Sequence, residues 1–431
     1  MKQYARYKSS GIEWIGEIPD HWEVRKLKYV GQVQLSGVDK KNEPEEIKVL
    51  LCNYIDVYKN EFIDDSLSFM EASATKNEIE RFALNRGDVL ITKDSETPDD
   101  IANPAFVRVE KVEIICGYHL AHIRTNRDIM IGEFLFRLFQ SPDFNAKFTV
   151  NAHGITRYGL SIDDIKSTKV LLPTVNEQTG ISNYLDRKTA QIDELIAKKQ
   201  KLSDLLNEEK TAIINQAVTK GLNPTAPMKH SGIPWLGEMP ANWEVKKLKY
   251  LAWAINEKTE YDIEFKISLE NIESKTGRLI SLENENNFQG ELRKFQKGDV
   301  LFNKLRPYLA KAYLADKNGG CLGELLIFRS KGELIPTFLF YRVLSYDFIK
   351  IVDSSTYGSK MPRASWDDFI SQLLIPYPQN DEQTAIANYL DRKTDQMDDV
   401  ISKTHHEIEL LREYRTALIS EAVTGKIDVR I

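Results

Sequence analysis

The hexapeptide YLDRKT occupies residues 184–189 and recurs, letter for letter, at residues 389–394. Its neighbours recur with it. SGIEWIGE (10–17) matches SGIPWLGE (231–238), Pro19 matches Pro240, and WEVRKLKY (22–29) matches WEVKKLKY (243–250). RGDVL (86–90) pairs with KGDVL (297–301), DDI (163–165) with DDF (367–369), NEQT (176–179) with DEQT (381–384), and AVT (217–219) with AVT (422–424). The spacing falls from 221 to about 205 residues along the chain, so the flanks agree while the middles differ in length. A period of about 210 residues is far too long for a solenoid repeat. It marks a whole unit written twice, and two copies of one fold in one chain are expected about a pseudo-twofold axis. The stretch VQLSGVDKKNEPEEIKVLLCNYIDV (33–57) has no counterpart in the second half. A repeated scaffold with unrepeated content suits a device that reads two different things with one geometry.

YLDRKT itself lies where the composition changes. From Glu177 to Lys220 there is no proline, and Gly180 is the single glycine. Asn176 is placed to cap a helix, with Glu177 in the first turn where the helix dipole favours a carboxylate. Gly221, followed by Pro224, is placed to end it. A seven-residue stripe runs Leu185, Ile192, Lys199, Leu206, Ile213, with a companion Ile181, Lys188, Leu195, Leu202, Glu209. The second copy reads Leu390, Met397, Thr404, Leu411, Leu418, with Ile386, Val400 and Tyr414 beside it and Gly425 at its close. These imperfect heptads predict a coiled coil. A 40-residue helix would be about 60 Å long, so the economical packing sets the two long helices antiparallel as a rod. YLDRKT then forms the first turns of each, joining each globular domain to its helix in the same way.

Each globular part is read as α+β. DVLIT and VEIIC read as strands, residues 131–141 as an amphipathic helix, and IDDIKSTKVLLP as a short helix followed by a strand. DVLFN, ELLIFRS, PTFLFYRVLSYDF and QLLIPYP follow in the same order in the second half. Trp22 and Trp243 are read as core anchors. RKLK and KKLK, which follow them in both halves, are read as scaffold.

Composition bounds the chemistry. The 431 residues allow two to four domains; 42% are hydrophobic and 28% charged, an ordinary soluble mixture. The N-terminus has no apolar run of signal-peptide type and no segment is apolar enough to span a membrane, so a cytoplasmic protein is expected. Cys52, Cys116 and Cys321 stand apart without CxxC spacing, which predicts free thiols and neither zinc nor disulfides. The net charge of −6 counts mildly against DNA binding by the whole surface but leaves room for a basic face. There is no Walker A pattern, GxSxG, HExxH or glycine-rich dinucleotide fingerprint. NPAF (103–106) lacks the second proline of the adenine methyltransferase motif and reads as a turn. The acidic and lysine residues between Asp88 and Lys93 make no convincing nuclease pattern, and His405-His406 reads as a solvated helix face. A duplicated chain without a catalytic or metal-binding set is expected to recognise or connect rather than to catalyse.

The sequence resembles the specificity subunits of type I restriction-modification systems over nearly its whole length. The resemblance rests on the domain-opening GxxPxxWxxxxL (Gly16 through Pro19 and Trp22 to Leu27, repeated from Gly237), on GDVL, on the LP…EQ…YLD junction and on the AVTG-like helix end, all present twice in order. AVTGK (422–426) keeps the family form and AVTKG (217–221) departs from it slightly. The resemblance implies target recognition domains at 1–176 and 223–380, and conserved long helices at 177–222 and 381–431. Each recognition domain would read half of a bipartite, asymmetric site in double-stranded DNA. The helices would act as a ruler and as the dock for two modification (methyltransferase) subunits, with restriction subunits joining afterwards. S-adenosylmethionine, ATP and magnesium would belong to those partners, and this chain would carry no cofactor, metal or catalytic residue. Base-reading positions in this family follow no fixed motif, so the candidates are loop cations, amides and aromatics. They are Lys93, Arg157 and Tyr158 in the first half, and Asn303, Lys304, Arg306, Tyr308, Lys360 and Arg363 in the second. Arg and Lys suit guanine edges or phosphates, and Asn suits adenine. Two other readings compete: a two-headed adaptor that does not bind DNA, and a free-standing methyltransferase or nuclease whose motifs have diverged.

Overall fold

In the computed structural model, which describes residues 2–109, 113–259, 263–280, 291–358 and 360–430, the proline-free stretch forms one helix, Val175–Lys220. Its repeat forms a second, Asn380–Val423. The first starts earlier than an Asn176 cap would place it. The Thr174 hydroxyl accepts from the Glu177 N–H (3.4 Å), and the Glu177 carboxylate accepts from the Thr174 N–H (3.3 Å). This is a capping box, so Thr174 caps and Glu177 stands at its third position. No helix among the described residues is long and apolar enough to cross a membrane.

The chain divides into two compact units, Met1–Lys198 with His406–Ile431, and Lys199–His405. Each unit therefore owns the start of one long helix and the end of the other. Both are α+β. The first unit has a five-stranded sheet in the order Gly31–Leu35, Leu120–Thr125, Val89–Thr92, Pro104–Val107, Phe62–Ile63, antiparallel except for the last pair. A three-stranded sheet, Ile114–Cys116, Ile47–Cys52, Met70–Ala74, adds a smaller core. Val112, placed by sequence at the head of the VEIIC strand, lies outside the described residues. The second unit has a four-stranded sheet, Ala252–Ile255, Leu325–Ser330, Val300–Asn303, Ala312–Leu314, and a second of Lys258–Thr259, Leu292–Phe295, Gly319–Leu322, Lys266–Ile267. Helices Gly132–Phe139 and Pro142–Asn151 in the first unit correspond to Pro336–Leu344 and Tyr346–Ser354 in the second. NPAF is more than a turn: Pro104 opens a strand.

The repeated motifs are the joints of these units. In GDVL the aspartate closes a turn and holds the next strand. The Asn85 N–H donates to Asp88 Oδ2 at 2.8 Å, and Arg124 donates to both carboxylate oxygens at 2.9 and 2.7 Å. In the second unit Gln296, Asp299 and Arg329 repeat this at 2.7, 2.8 and 2.6 Å. Gly87 (φ +99°) and Gly298 (φ +89°) take the backbone angle this turn requires. In EQT the glutamine is buried. Gln178 donates to the carbonyls of Ile129 and Pro173, and accepts from the Ile131 N–H, each at 2.9 Å. Gln383 does the same with Glu333, Pro378 and Ile335. In YLDRKT the aspartate and threonine face the helix that follows the sheet. Arg137 reaches Asp186 (2.7 Å) and Thr189 (3.2 Å), and Tyr341 reaches Asp391 (2.7 Å) and Thr394 (3.2 Å). Trp22 and Trp243 are wholly buried, each edge-on to a phenylalanine, Phe134 and Phe338.

Within each unit the long-helix segments run antiparallel. In the first, Asp193 pairs with Arg415 (2.8 Å), and Ile181, Leu185, Leu418, Ile419, Ala422 and Val423 share the main core. In the second, Ser203 meets His405 (2.9 Å) and Lys210 meets Asp398 (2.7 and 2.8 Å), so seven residues down one helix are seven up the other. The main stripes read in sequence are buried at Leu185, Ile192, Leu390, Thr404 and Leu418. The companion stripes depart: Leu195, Leu202, Val400 and Tyr414 are exposed, whereas Ser203, Lys210 and Asp398, which belong to no stripe, are buried. The seam carries polar residues, which an apolar-stripe reading cannot see. His405 and His406 are both exposed, as read, and His405 also bonds Ser203 across the seam.

Two outcomes follow for stability. Burial pushes the Asp88 carboxyl up, but the hydrogen bonds from Arg124 and His122 outweigh it and hold the group below the usual carboxylate range. A depressed native value gives stability that is present above the unfolded value of about 3.9 and is lost as pH falls through the native one. Asp88→Asn should lower the unfolding free energy at pH 7 by about 1.5–3 kcal/mol, with the gap to the parent chain narrowing below pH 4 in urea titrations. Lys210→Met should cost about 1.5–3 kcal/mol by removing the ammonium bonded to both oxygens of Asp398, which keeps Arg278 at 3.5 Å, and Lys210→Met with Asp398→Leu should recover most of that loss in the same measurement.

Candidate nucleic-acid interface

Strands Val89–Thr92 and Val300–Asn303 end in the same way, and each end is followed by a lysine, Lys93 or Lys304. Thr92 Oγ1 accepts from the Asn103 N–H (3.0 Å), and Asn303 Oδ1 accepts from the Lys311 N–H (2.9 Å). Ala102 and Ala310, just before those partners, both adopt left-handed angles (φ +59° and +50°). Past the lysine the two units close a loop of equal length with mutual backbone bonds, His153 with Gly159 (3.0 and 2.9 Å) and Tyr357 with Arg363 (3.2 and 3.1 Å). The next residue, Leu160 or Ala364, donates its N–H to the carbonyl of Lys93 or Lys304 at 2.9 Å. Strand end and loop are thus one assembly, built identically in both units. Lys93, Arg157 and Tyr158 meet on it in the first. Lys304, Lys360 and Arg363 meet on it in the second, with Arg306 tied to the same loop through its N–H to Pro362 (2.8 Å).

The side chains displayed there differ. In the first unit Lys93 lies 3.8 Å from Asp94, which receives His119 Nδ1 at 2.5 Å. Arg157 Nη2 lies 3.3 and 3.4 Å from the two ring nitrogens of His119. Arg157 is exposed and Tyr158 half-buried in the short ladder with Ser95. A recess of about 470 Å³ opens beside them, lined by Tyr54, Tyr58, Asp94, Glu96, Asp100 and Arg157 among others. Tyr54 and Tyr58 stack at 5.5 Å, and Tyr58 donates to Asp100 at 2.8 Å. Tyr54 comes from the stretch with no counterpart in the second half, and Tyr58 follows directly after it.

In the second unit Leu305 stands where Asp94 does, and the acidic partner is gone. Burial first, then the guanidinium groups of Arg293 and Arg363, push the Lys304 ammonium below the usual lysine range, against a smaller pull from Glu324. Arg306 is exposed, and its left-handed backbone (φ +51°) starts the turn Pro307–Leu309 that presents Tyr308, itself 51% exposed. Lys360 and Arg363 are also exposed. Asn303 departs from its expected role. It is fully buried, its amide donates to the carbonyls of Leu305 (3.1 Å) and Arg306 (2.8 Å), and its oxygen is taken by Lys311. It braces the loop as Thr92 does, and has no free edge for adenine.

The two surfaces together present cations, aromatics and carboxylates on rigid loops, which is the chemistry that meets phosphates and base edges. His119, Tyr54, Tyr58 and Arg293 escaped the sequence reading. The spacing of Tyr54 and Tyr58, one helical turn apart at the end of the unrepeated stretch, was the available sign. Asp88, within the segment examined for a nuclease pattern, is buried and held by Arg124 and His122. Among the described residues no group of three or more His, Cys, Asp or Glu could hold a metal ion.

Known proteins give the same picture. The sequence model of the type I restriction modification DNA specificity domain matches residues 19–204. A candidate type I restriction enzyme specificity subunit of Methanocaldococcus jannaschii, MjaX, is 24% identical over 96% of both chains. The EcoDI type I specificity subunit of Escherichia coli is 22% identical over 68% of this chain and 70% of its own. In fold, the chain is similar to one solved in a study of complex assembly and conformational transition of the type I R-M system, with a TM-score of 0.71 and 17% identity over 95% of this chain and 99% of that one. It is also similar to the HsdS subunit of Thermoanaerobacter tengcongensis, with a TM-score of 0.53 and 17% identity over 95% and 98%. Residues 19–204 thus match the type I restriction modification DNA specificity domain, and over nearly its whole length the chain is similar in sequence and fold to type I restriction-modification specificity subunits.

Proposed function

We propose that this chain is the DNA-reading subunit of a type I restriction-modification complex, that each unit reads one half of a bipartite, asymmetric site, and that the chain itself performs no catalysis. One observation carries this reading. The same strand-end and loop assembly occurs in both units and displays unlike side chains, Asp94, His119 and Arg157 in one, Lys304, Arg306 and Arg363 in the other. Identical displays would read a palindrome; unlike ones read two different half-sites. Each long helix begins in one unit and ends in the other, and 46 residues make a helix of about 69 Å. These helices are the element that can set the spacer between half-sites. Leu195, Leu202, Leu205, Leu410 and Tyr414 are exposed along them, and exposed apolar side chains of this kind suit protein partners. Two modification subunits would dock there, bringing S-adenosylmethionine, and restriction subunits would add ATP- and magnesium-dependent work. Such a complex acts on the DNA of the cytoplasm.

Mapping methylated adenines in the DNA of cells with and without the gene should reveal a bipartite motif that disappears with it. Persistence of every motif would refute the reading. Exchanging residues 1–176 for the matching segment of another specificity subunit should alter one half of the motif and leave the other intact. Arg157→Ala should leave the urea midpoint unchanged, because the guanidinium is exposed, and should cost about 1–3 kcal/mol in binding by the assembled complex. That loss should appear as relaxed specificity within one half-site.

A further inference from the structure

We propose that Lys304, Arg293 and Arg363 of the second unit form a phosphate site that takes a single phosphodiester of the DNA backbone, whereas Arg306 and Lys360 beside it are left to meet base edges. The proposal rests on the DNA-reading function above and assigns roles within it. Lys304 is half-buried, and both its backbone groups are fixed: its N–H donates to the Glu324 carbonyl (3.1 Å), and its carbonyl accepts from Ala364 (2.9 Å). Its ammonium has no hydrogen-bond or ion-pair partner among the described residues. The charges facing it are the guanidinium groups of Arg293 and Arg363 and the single carboxylate of Glu324, which lies 3.9 Å from Arg363. Arg293 is half-buried on strand Leu292–Phe295 and borders Gly323 beside Glu324.

A partly desolvated cation between two others is unfavourable in the free protein. Burial and like charge together disfavour its ionised form. An anion placed among the three groups would reverse that balance, because it would pair a charge that nothing else pairs. The first unit supplies the contrast. At the equivalent position Lys93 already has the Asp94 carboxylate 3.8 Å away, itself bonded to His119, and so is neutralised within the protein. The substitution of Leu305 for Asp94 removes the internal anion and leaves room for an external one. A phosphodiester is the anion that a DNA-reading surface meets at regular intervals, and contacts to it position the protein without reading sequence.

The test uses the full chain assembled with its modification subunits and two duplexes, one carrying the mapped motif and one lacking it. Binding is measured between about 50 and 200 mM salt for the parent, Lys304→Gln and Lys304→Arg. Loss of a single phosphate contact should reduce the slope of log affinity against log salt by about 0.9 for Lys304→Gln on both duplexes, and Lys304→Arg should restore it. Lys304→Gln should fold with an unchanged or higher urea midpoint, since it removes an unpaired, partly buried charge. Glu324→Gln, which removes the competing carboxylate, should tighten binding to both duplexes. An unchanged slope for Lys304→Gln, or a loss confined to the motif-bearing duplex, would overturn the phosphate assignment. A parent complex that binds both duplexes equally would instead refute sequence reading, and the slopes would still decide the phosphate site.

Discussion

A buried amide at the start of each long helix fixes how that helix leaves its unit. Gln178 and Gln383 each satisfy two backbone carbonyls and a backbone N–H from two different segments. No apolar side chain can replace such a group, because three backbone partners would then be buried without hydrogen bonds. The capping Glu177 and the Asp–Thr pair of YLDRKT extend the same joint by two turns. The helix is therefore not merely attached to the sheet domain; its direction is set by directional bonds. Everything the family resemblance implies about spacing depends on this stiffness.

The joint also explains which parts of the sequence repeat. GDVL, EQT and YLDRKT recur around an aspartate, a glutamine and an Asp–Thr pair whose bonds hold the joints of both units. The displayed side chains bear no such load. Asp94 and Leu305, or Arg157 and Met361, occupy corresponding places without disturbing the strand end or the loop bridge. Separation of frame from display allows one unit to change the side chains it displays while the other is untouched. Even the frame tolerates exchange where the bonding survives, as with Arg137 and Tyr341, which reach the same aspartate and threonine positions by different chemistry.

Much of this fold was legible before any coordinates. The repeat located the units, and absence of proline located the helices to within a few residues. The outer parts of the helix seam were legible as heptads, at Leu185, Ile192, Leu390 and Leu418, but its central contacts, Ser203 with His405 and Lys210 with Asp398, were not, because polar pairs leave no apolar stripe. Leu195, Leu202, Val400 and Tyr414 had the right chemistry for a seam and face outward. For the candidate surface, Lys93 and Arg157 were found by type and proximity to a strand end, yet Asn303 was misassigned for the same reason. Its amide looked like a reader, whereas aligning DVLFN with DVLIT makes it the counterpart of Thr92, a brace. His119 and Arg293 lie far in sequence from the loops they adjoin, and only the folded chain brings them there.

The first unit draws its core from both ends of the chain. Leu418, Ile419, Ala422 and Val423 pack with Trp22, Phe134 and Leu185, and the Asp428 N–H bonds the Lys2 carbonyl at 2.8 Å. The second unit is one uninterrupted stretch, Lys199–His405. During synthesis, then, the part made first is completed last. Domains ordinarily mature in the order in which they leave the ribosome, but here the amino-terminal unit stays open until the final turns of the carboxy-terminal helix have emerged. A chain that stops between His405 and the last turns of the second long helix would carry one finished unit and an unfinished other.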